Sequence, residues 1–233
     1  MQFSSRSATI GVRAPCHYTN AMTRRYIIAA IAALLISSSA SSAAPSRRSP
    51  PLVAALPDTV RVVLNTEVGD ITIDLDNKHA PASTANFVRY VDQKRLDGIV
   101  FYRVMRLDSG TQPNGLIQAG ARGDPKRVFK PIIHEPTTQT GILHKAGTIS
   151  MARLAPGTAA ADFSILISDM PGLDANANPN DPVGYAAFGQ VVQGMDAVRK
   201  IFDMPLSATR GQGVMRGQML EREVKVLTAR RVK

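Results

Sequence analysis

Phe101-Tyr-Arg-Val-Met-Arg-Leu-Asp-Ser-Gly-Thr-Gln-Pro-Asn-Gly-Leu-Ile-Gln-Ala-Gly120 is the stretch on which the reading of this chain turns. Its two ends look like strands. Phe101 to Met105 mixes aromatic and β-branched residues, and Leu116 to Ala119 is a shorter, mostly apolar run with the β-branched Ile117. Between them, Asp108 to Gly115 is turn-rich and closes on the tight-turn dipeptide Asn114-Gly115. Two polar side chains, Arg103 and Gln118, interrupt the apolar pattern. If the strands pair, the two lie near each other on one sheet face. A rigid cationic fork beside a neutral amide is suited to gripping a peptide carbonyl.

Outward from this stretch the chain is a series of short strands. Val60 to Asn65 is a β-branched run, Thr66 to Asp70 a turn, and Ile71 to Asp76 alternates apolar and polar residues, which predicts a hairpin. Pro81 to Leu96 changes to helical spacing, with Ala85, Phe87, Val88 and Val91 recurring. Pro81 with Ser83 or Thr84 supplies its start signals and Gly98 its stop. Ala121 to Gly147 is loop-rich. Thr148 to Ala152, Phe163 to Ile167 and Tyr185 to Val192 read as strands, with loops at Arg153 to Ala161 and Pro171 to Pro182. Gly194 to Phe202 reads as a short helix and Arg222 to Val232 as a closing strand. About eight short strands and two helices, without a βαβ rhythm, predict a mainly β fold, a barrel or a sandwich.

The 233 residues allow one large domain or two small ones. A hydrophobic fraction of 44% is ample for a core, although Trp is absent. The net charge of +10 is inflated by residues 1–44, which hold four arginines and no acid. The remainder carries 24 basic and 18 acidic side chains, a net of +6. These charges are scattered apart from the tail Arg230-Arg231-Val232-Lys233. No basic helix or aromatic-basic strand motif appears, so no nucleic-acid partner is expected.

Residues 1–44 read as an N-terminal extension and signal peptide. Thr23-Arg24-Arg25, then apolar Tyr26 to Ile36, then Ser37 to Ala44 follow the charged, apolar, small order of a secretory signal cleaved near Ala40 to Ala44. The apolar run falls short of the roughly 20 residues that span a membrane. No stable membrane association is expected after cleavage, with an uncleaved anchor as the alternative. Arg24-Arg25 admits a twin-arginine reading, and Met22 is an alternative start. The expected destination is the periplasm or the exterior. Cys16, the only cysteine, lies in this leader, so the mature chain would have no disulfide and no cysteine nucleophile. Residues 45–58, rich in Pro, Ser and Arg, read as a flexible linker to a folded domain at 59–233.

Several short pieces recur in a telling order. They are Val62 to Thr66 before Gly69-Asp70-Ile71, Ala80-Pro81 with Asn86-Phe87, and Phe101-Tyr102-Arg103-Val104. Gln118-Ala119-Gly120, Gly147 to Ala152, and Ala187-Phe188-Gly189 before Gly194-Met195 follow. Together they resemble the cyclophilin family of peptidyl-prolyl cis/trans isomerases. Met151-Ala152-Arg153 and Gly184 to Gly189 are most similar to its secreted bacterial members. The resemblance implies a closed eight-stranded antiparallel β-barrel capped by two α-helices, with an outer groove for a proline-containing peptide. It implies Arg103 as the catalytic arginine and Gln118 as the residue that holds the peptide. It places Leu116, Met151, Ala152, Arg153, Ser164, Leu173 and Tyr185 along the substrate. The reaction rotates a bond and breaks none, so no cofactor and no metal are expected. The expected partners are proline-containing peptides and unfolded exported proteins, met by a monomer.

The pocket departs from the family pattern. Gly115 and Ser164 fall where the family carries phenylalanines, and Leu116 where it carries a methionine. Tyr185 takes the place of a histidine, as in the secreted bacterial members, and Asp108 to Gly115 is an insertion. Losing two rings predicts a looser hold on proline, with Tyr102, Met105 or the insertion as candidates to fill the gap. A weakly active or inactive peptide-binding module is therefore the alternative function. A small-ligand barrel of another family is disfavoured by the helix between the second and third strands. Asp174 to Tyr185 begins like a calcium loop, but Pro179 stands where glycine is needed and Tyr185 where glutamate is needed. His79, His134 and His144 show no ligand spacing and no Ser or Asp arrangement in the sequence, and Ser164 has no catalytic companion.

Overall fold

The computed structural model describes residues 55–232. The expected leader with Cys16, residues 45–54 of the expected linker and Lys233 lie outside the described residues. β1 (Thr59–Thr66) and β2 (Gly69–Asp76) form the expected hairpin. After α1 (Pro81–Asp92) come β3 (Val100–Arg106), β4 (Gly115–Gly120), a short α2 (Thr137–Thr140), β5 (Thr148–Met151) and β6 (Phe163–Leu166). Then follow β7 (Ala186–Gln193), α3 (Met195–Phe202) and β8 (Met219–Arg231). The sheet closes in the order β1-β2-β7-β5-β6-β4-β3-β8, and each neighbouring pair is antiparallel. Closure pairs every edge. This is the closed eight-stranded barrel that the resemblance implied, with α2 as an added turn in the loop-rich region.

Period-two alternation fills the barrel. Val60, Val62 and Leu64 of β1 and Ile71, Ile73 and Leu75 of β2 point inward and are buried. Phe87 of α1 packs its ring against Phe163 and Phe188, with centroids 5.2 and 5.7 Å away. Phe101 joins this cluster at 6.1 Å from Phe163. Each such ring contributes about 1.5–3 kcal/mol of burial.

The start of α1 differs from its sequence reading. Pro81 opens the helix, but Ser83 and Thr84 lie inside it and Ala80 offers no side-chain cap. The backbone N–H groups of Ala82 and Ser83 donate instead to the carboxylate of Glu135, at 2.9 and 2.8 Å, and Ser83 Oγ donates to it at 2.7 Å. Glu135 is buried, and its charge suits the positive end of the helix. The helix also ends at Asp92 rather than Leu96.

The pairing of β3 with β4 sets the wall that carries Arg103 and Gln118. Phe101 faces Ala119, Arg103 faces Gln118, and Val104 faces Ile117. β3 advances two residues where β4 advances one, so Tyr102 is the extra residue of a β-bulge. Strict alternation would leave Arg103 on the face of Phe101, which is inside the barrel. The bulge turns Arg103 to the outer wall, beside Gln118. The row continues across the sheet, with Gln118 facing Ser164 and Ser164 facing Ser150.

Candidate active site

Arg103 is half-buried, and its guanidinium is clasped from two sides. Nη1 donates to Gln118 Oε1 at 2.9 Å, while Nε and Nη2 donate to Gln218 Oε1 at 2.9 and 2.6 Å. Burial draws its pKa below the usual arginine value, with Tyr102 and Tyr185 acting the other way. Arginine stays charged through such a shift. Because Arg103 occupies the Gln118 carbonyl oxygen, the Gln118 amide N–H groups remain to donate elsewhere.

Both side chains line a cavity of 140 Å³ on the outer wall. Leu116, Met151, Ala152 and Leu173 contribute aliphatic surface, with Tyr185 at one side. Ser164 and Arg153 complete the predicted set, so the fold gathers all nine candidate residues around one cavity. Met105 and Ser150 line it as well.

Residues 60–229 match the model of the family described as cyclophilin type peptidyl-prolyl cis-trans isomerase/CLD. The chain belongs to this family. Its reaction class is therefore prolyl isomerisation. A peptidyl-prolyl cis-trans isomerase of Acinetobacter baylyi is 38% identical over 157 residues, which cover 66% of this chain and 77% of the relative. Peptidyl-prolyl cis-trans isomerase A of Dickeya dadantii is 35% identical over 155 residues, covering 65% and 75%. Among solved structures, a cyclophilin type isomerase of Cryptosporidium parvum shares the fold with a TM-score of 0.57 at 18% identity, covering 75% of this chain and 98% of that one. A second structure of that protein, in the presence of the dipeptide Ala-Pro, has a TM-score of 0.56 at the same identity, covering 74% and 99%.

In this cyclophilin the missing rings have structural causes and consequences. Gly115 has φ +143°, and a Cβ there would overlap the Met105 carbonyl, so no ring can stand at that position. Met105 lines the cavity and packs, with Leu107 and Leu173, against Leu116, Leu166 and Met170. Tyr102 does not fill the gap. Its hydroxyl donates to Asp162 Oδ2 at 2.7 Å, away from the cavity lining. Ser164, 8% exposed, brings a hydroxyl to the cavity lining in the ring's place.

Arg153 lines the cavity, but its charge is spent internally. Nη2 meets both Asp181 carboxylate oxygens at 2.8 Å and also donates to the Gly184 carbonyl. The guanidinium lies 4.5 Å from the Tyr185 ring centroid. It thus holds Tyr185 against the wall.

His144 is a buried structural residue whose partners the sequence did not reveal. The fold sets it between an aspartate and a serine. Its Nδ1 is 2.7 Å from Asp174 Oδ1, its backbone N–H donates to the same oxygen at 3.0 Å, and its Nε2 is 2.8 Å from Ser150 Oγ. Burial pushes the His144 pKa down, although Asp174 pulls it up. The neutral ring therefore donates from Nδ1 to the carboxylate and accepts from Ser150. Asp174 follows Leu173, so this relay pins a cavity residue to β5. Asp174 and Asp181, the would-be calcium ligands, are engaged by His144 and Arg153.

Proposed function

We propose that the 140 Å³ cavity receives the proline ring of an extended peptide and that Arg103 catalyses rotation of the preceding bond. Amide resonance holds that bond planar behind a barrier of about 18–20 kcal/mol. At the twisted state the prolyl nitrogen regains its lone pair and accepts a hydrogen bond. A guanidinium has five N–H donors. Gln118 and Gln218 hold three of them, which leaves two for the substrate. The Gln118 amide N–H groups would hold the peptide carbonyl. Donors fixed before the substrate arrives need no reorganisation during the reaction. The observation that carries this reading is the cross-strand pair of Arg103 and Gln118 on the wall of an aliphatic cavity. Leu116, Met151, Ala152, Leu173 and Tyr185 would form the ring's surroundings, and Arg153 would act through Tyr185. Ala-Pro, the dipeptide present with the Cryptosporidium relative, is a ligand of the proposed class.

Exchange NMR on an Ala-Pro peptide tests the reading. Arg103→Ala should lower kcat by about 100-fold while circular dichroism stays unchanged. A wild-type rate equal to the uncatalysed one would sink the enzymatic role of Arg103. It would favour a second reading, a peptide-holding module, for which Ser164 and Gly115 speak. That module would bind the peptide and suppress aggregation without accelerating exchange.

The leader, the bacterial relatives and the Met151-Ala152-Arg153 triplet support action on exported chains in the periplasm. In this reading residues 1–44 are removed, 45–58 are a linker, and 59–233 work as a monomeric domain. Native mass spectrometry of the exported protein should give a single chain beginning close after Ala40 to Ala44. A mass that includes Met1 or Met22 would overturn cleavage.

A further inference from the structure

Two arginines line the cavity, and the fold treats them in opposite ways. Arg153 is neutralised by Asp181 at 2.8 Å. Arg103 has no carboxylate in ion-pair range among the described residues and is held by two neutral amide oxygens. Gln118 grips it at one nitrogen. Gln218 grips it at two, with Nε and Nη2 converging on one oxygen. One contact leaves a guanidinium able to swing about that point. Two more on a different corner fix its plane.

Gln218 is itself anchored. Its backbone carbonyl accepts from Val104 N at 2.8 Å, and its own N–H donates to Met215 O at 3.1 Å, closing the turn that follows the 3-10 helix Gly213–Met215. Met219, the next residue, pairs with Arg103 as β8 begins. The bulge at Tyr102 that turns Arg103 outward therefore also brings it against this entry to β8.

We propose that Gln218 is a positioning residue for the isomerisation: it fixes the plane of the Arg103 guanidinium without cancelling its charge. The inference rests on the reading of Arg103 as the donor to the twisted bond. A flexible arginine loses considerable side-chain entropy on being ordered. Gln218 does that ordering before the substrate arrives, so its contribution belongs to kcat rather than to KM. A carboxylate in its place would order the guanidinium equally well but neutralise the field that attracts the lone pair.

Two substitutions separate the parts of this claim. Gln218→Met removes the acceptor at similar length, and Gln218→Glu keeps an acceptor but adds the charge. Exchange NMR gives kcat and KM, and the Arg103 Nε–H resonance reports the clasp. Gln218→Met should lower kcat by about tenfold, shift KM by less than about twofold, and expose the Arg103 Nε–H to solvent exchange. Gln218→Glu should keep that proton protected and still lower kcat. In an Arg103→Lys background, Gln218→Met should have no further effect on kcat. Wild-type kcat in Gln218→Met overturns the positioning role, and wild-type kcat in Gln218→Glu at neutral pH overturns the requirement for a neutral partner. If Arg103→Ala itself keeps full activity, the Arg103 reading fails. If Arg103→Ala is inactive and both Gln218 variants are unaffected, only the present inference fails.

Discussion

Ser164 is where this wall differs most from a ring-lined pocket. It faces Gln118 on one side and Ser150 on the other, so the cavity floor carries hydroxyls where the resemblance implies a phenylalanine. The nearby loss at Gly115 is imposed by its backbone and is backed by Met105. The loss at Ser164 is not imposed, because β6 is regular there. Ser164→Phe should therefore add a ring to the cavity and tighten the hold on proline. A ring half covered by ligand is worth on the order of 1 kcal/mol, so KM for an Ala-Pro peptide should fall several-fold in the exchange assay with kcat retained. A folded Ser164→Phe protein that no longer binds the peptide would show that the existing cavity is already sized for its ligand. The sequence exposes Ser164 as a departure, but not that Ser150, bonded to His144, stands opposite it.

At the scale of elements, three devices place the site, and none follows from local pattern. The bulge at Tyr102 reverses the facing of Arg103 relative to Phe101. Both strand halves look regular in sequence, since Phe101, Arg103 and Met105 sit at period two. Glu135 caps α1 from 52 residues away, which holds the helix that carries Phe87 into the barrel. The relay from Asp174 through His144 to Ser150 ties the loop after β6 to β5. Its members are 30 and 6 residues apart, so the absence of a Ser or Asp arrangement in sequence was a matter of distance along the chain. Strand and helix identities, by contrast, were legible, because alternation at period two and apolar recurrence at helical spacing record which face is buried. Element ends were less so. β8 starts at Met219 rather than Arg222, and α1 stops a turn early.

For the whole molecule, the barrel relies on burial and closure. Every edge strand is paired, and no cysteine lies beyond Cys16. Buried His144 makes its stability depend on pH. The folded state holds the ring neutral, with its pKa below the ordinary value. Above about pH 6.5 the histidine is neutral in both states and its relay contributes fully. As pH falls through that value the unfolded chain takes up a proton that the folded chain refuses, so stability declines. The lowered carboxyl groups of Asp74 and Asp97 release their share at more acidic pH, below the window of interest. Urea unfolding at pH 7.5 and pH 5 should show a larger loss for wild type than for His144→Gln, which has no ring to protonate. Equal losses would remove His144 as the source.

The sequence by itself determined the family, the mainly β class, the eight strands and nine of the eleven residues that line the cavity, because those rest on residue type and order. The tertiary structure decided which way those residues act. Arg103 works outward because of a bulge, Gly115 excludes a ring because of a neighbouring carbonyl, and Arg153 is spent on Asp181. Gln218 reaches Arg103 across 115 residues of chain. Cross-barrel contacts of that span depend on register and closure, and no local stretch of sequence encodes them.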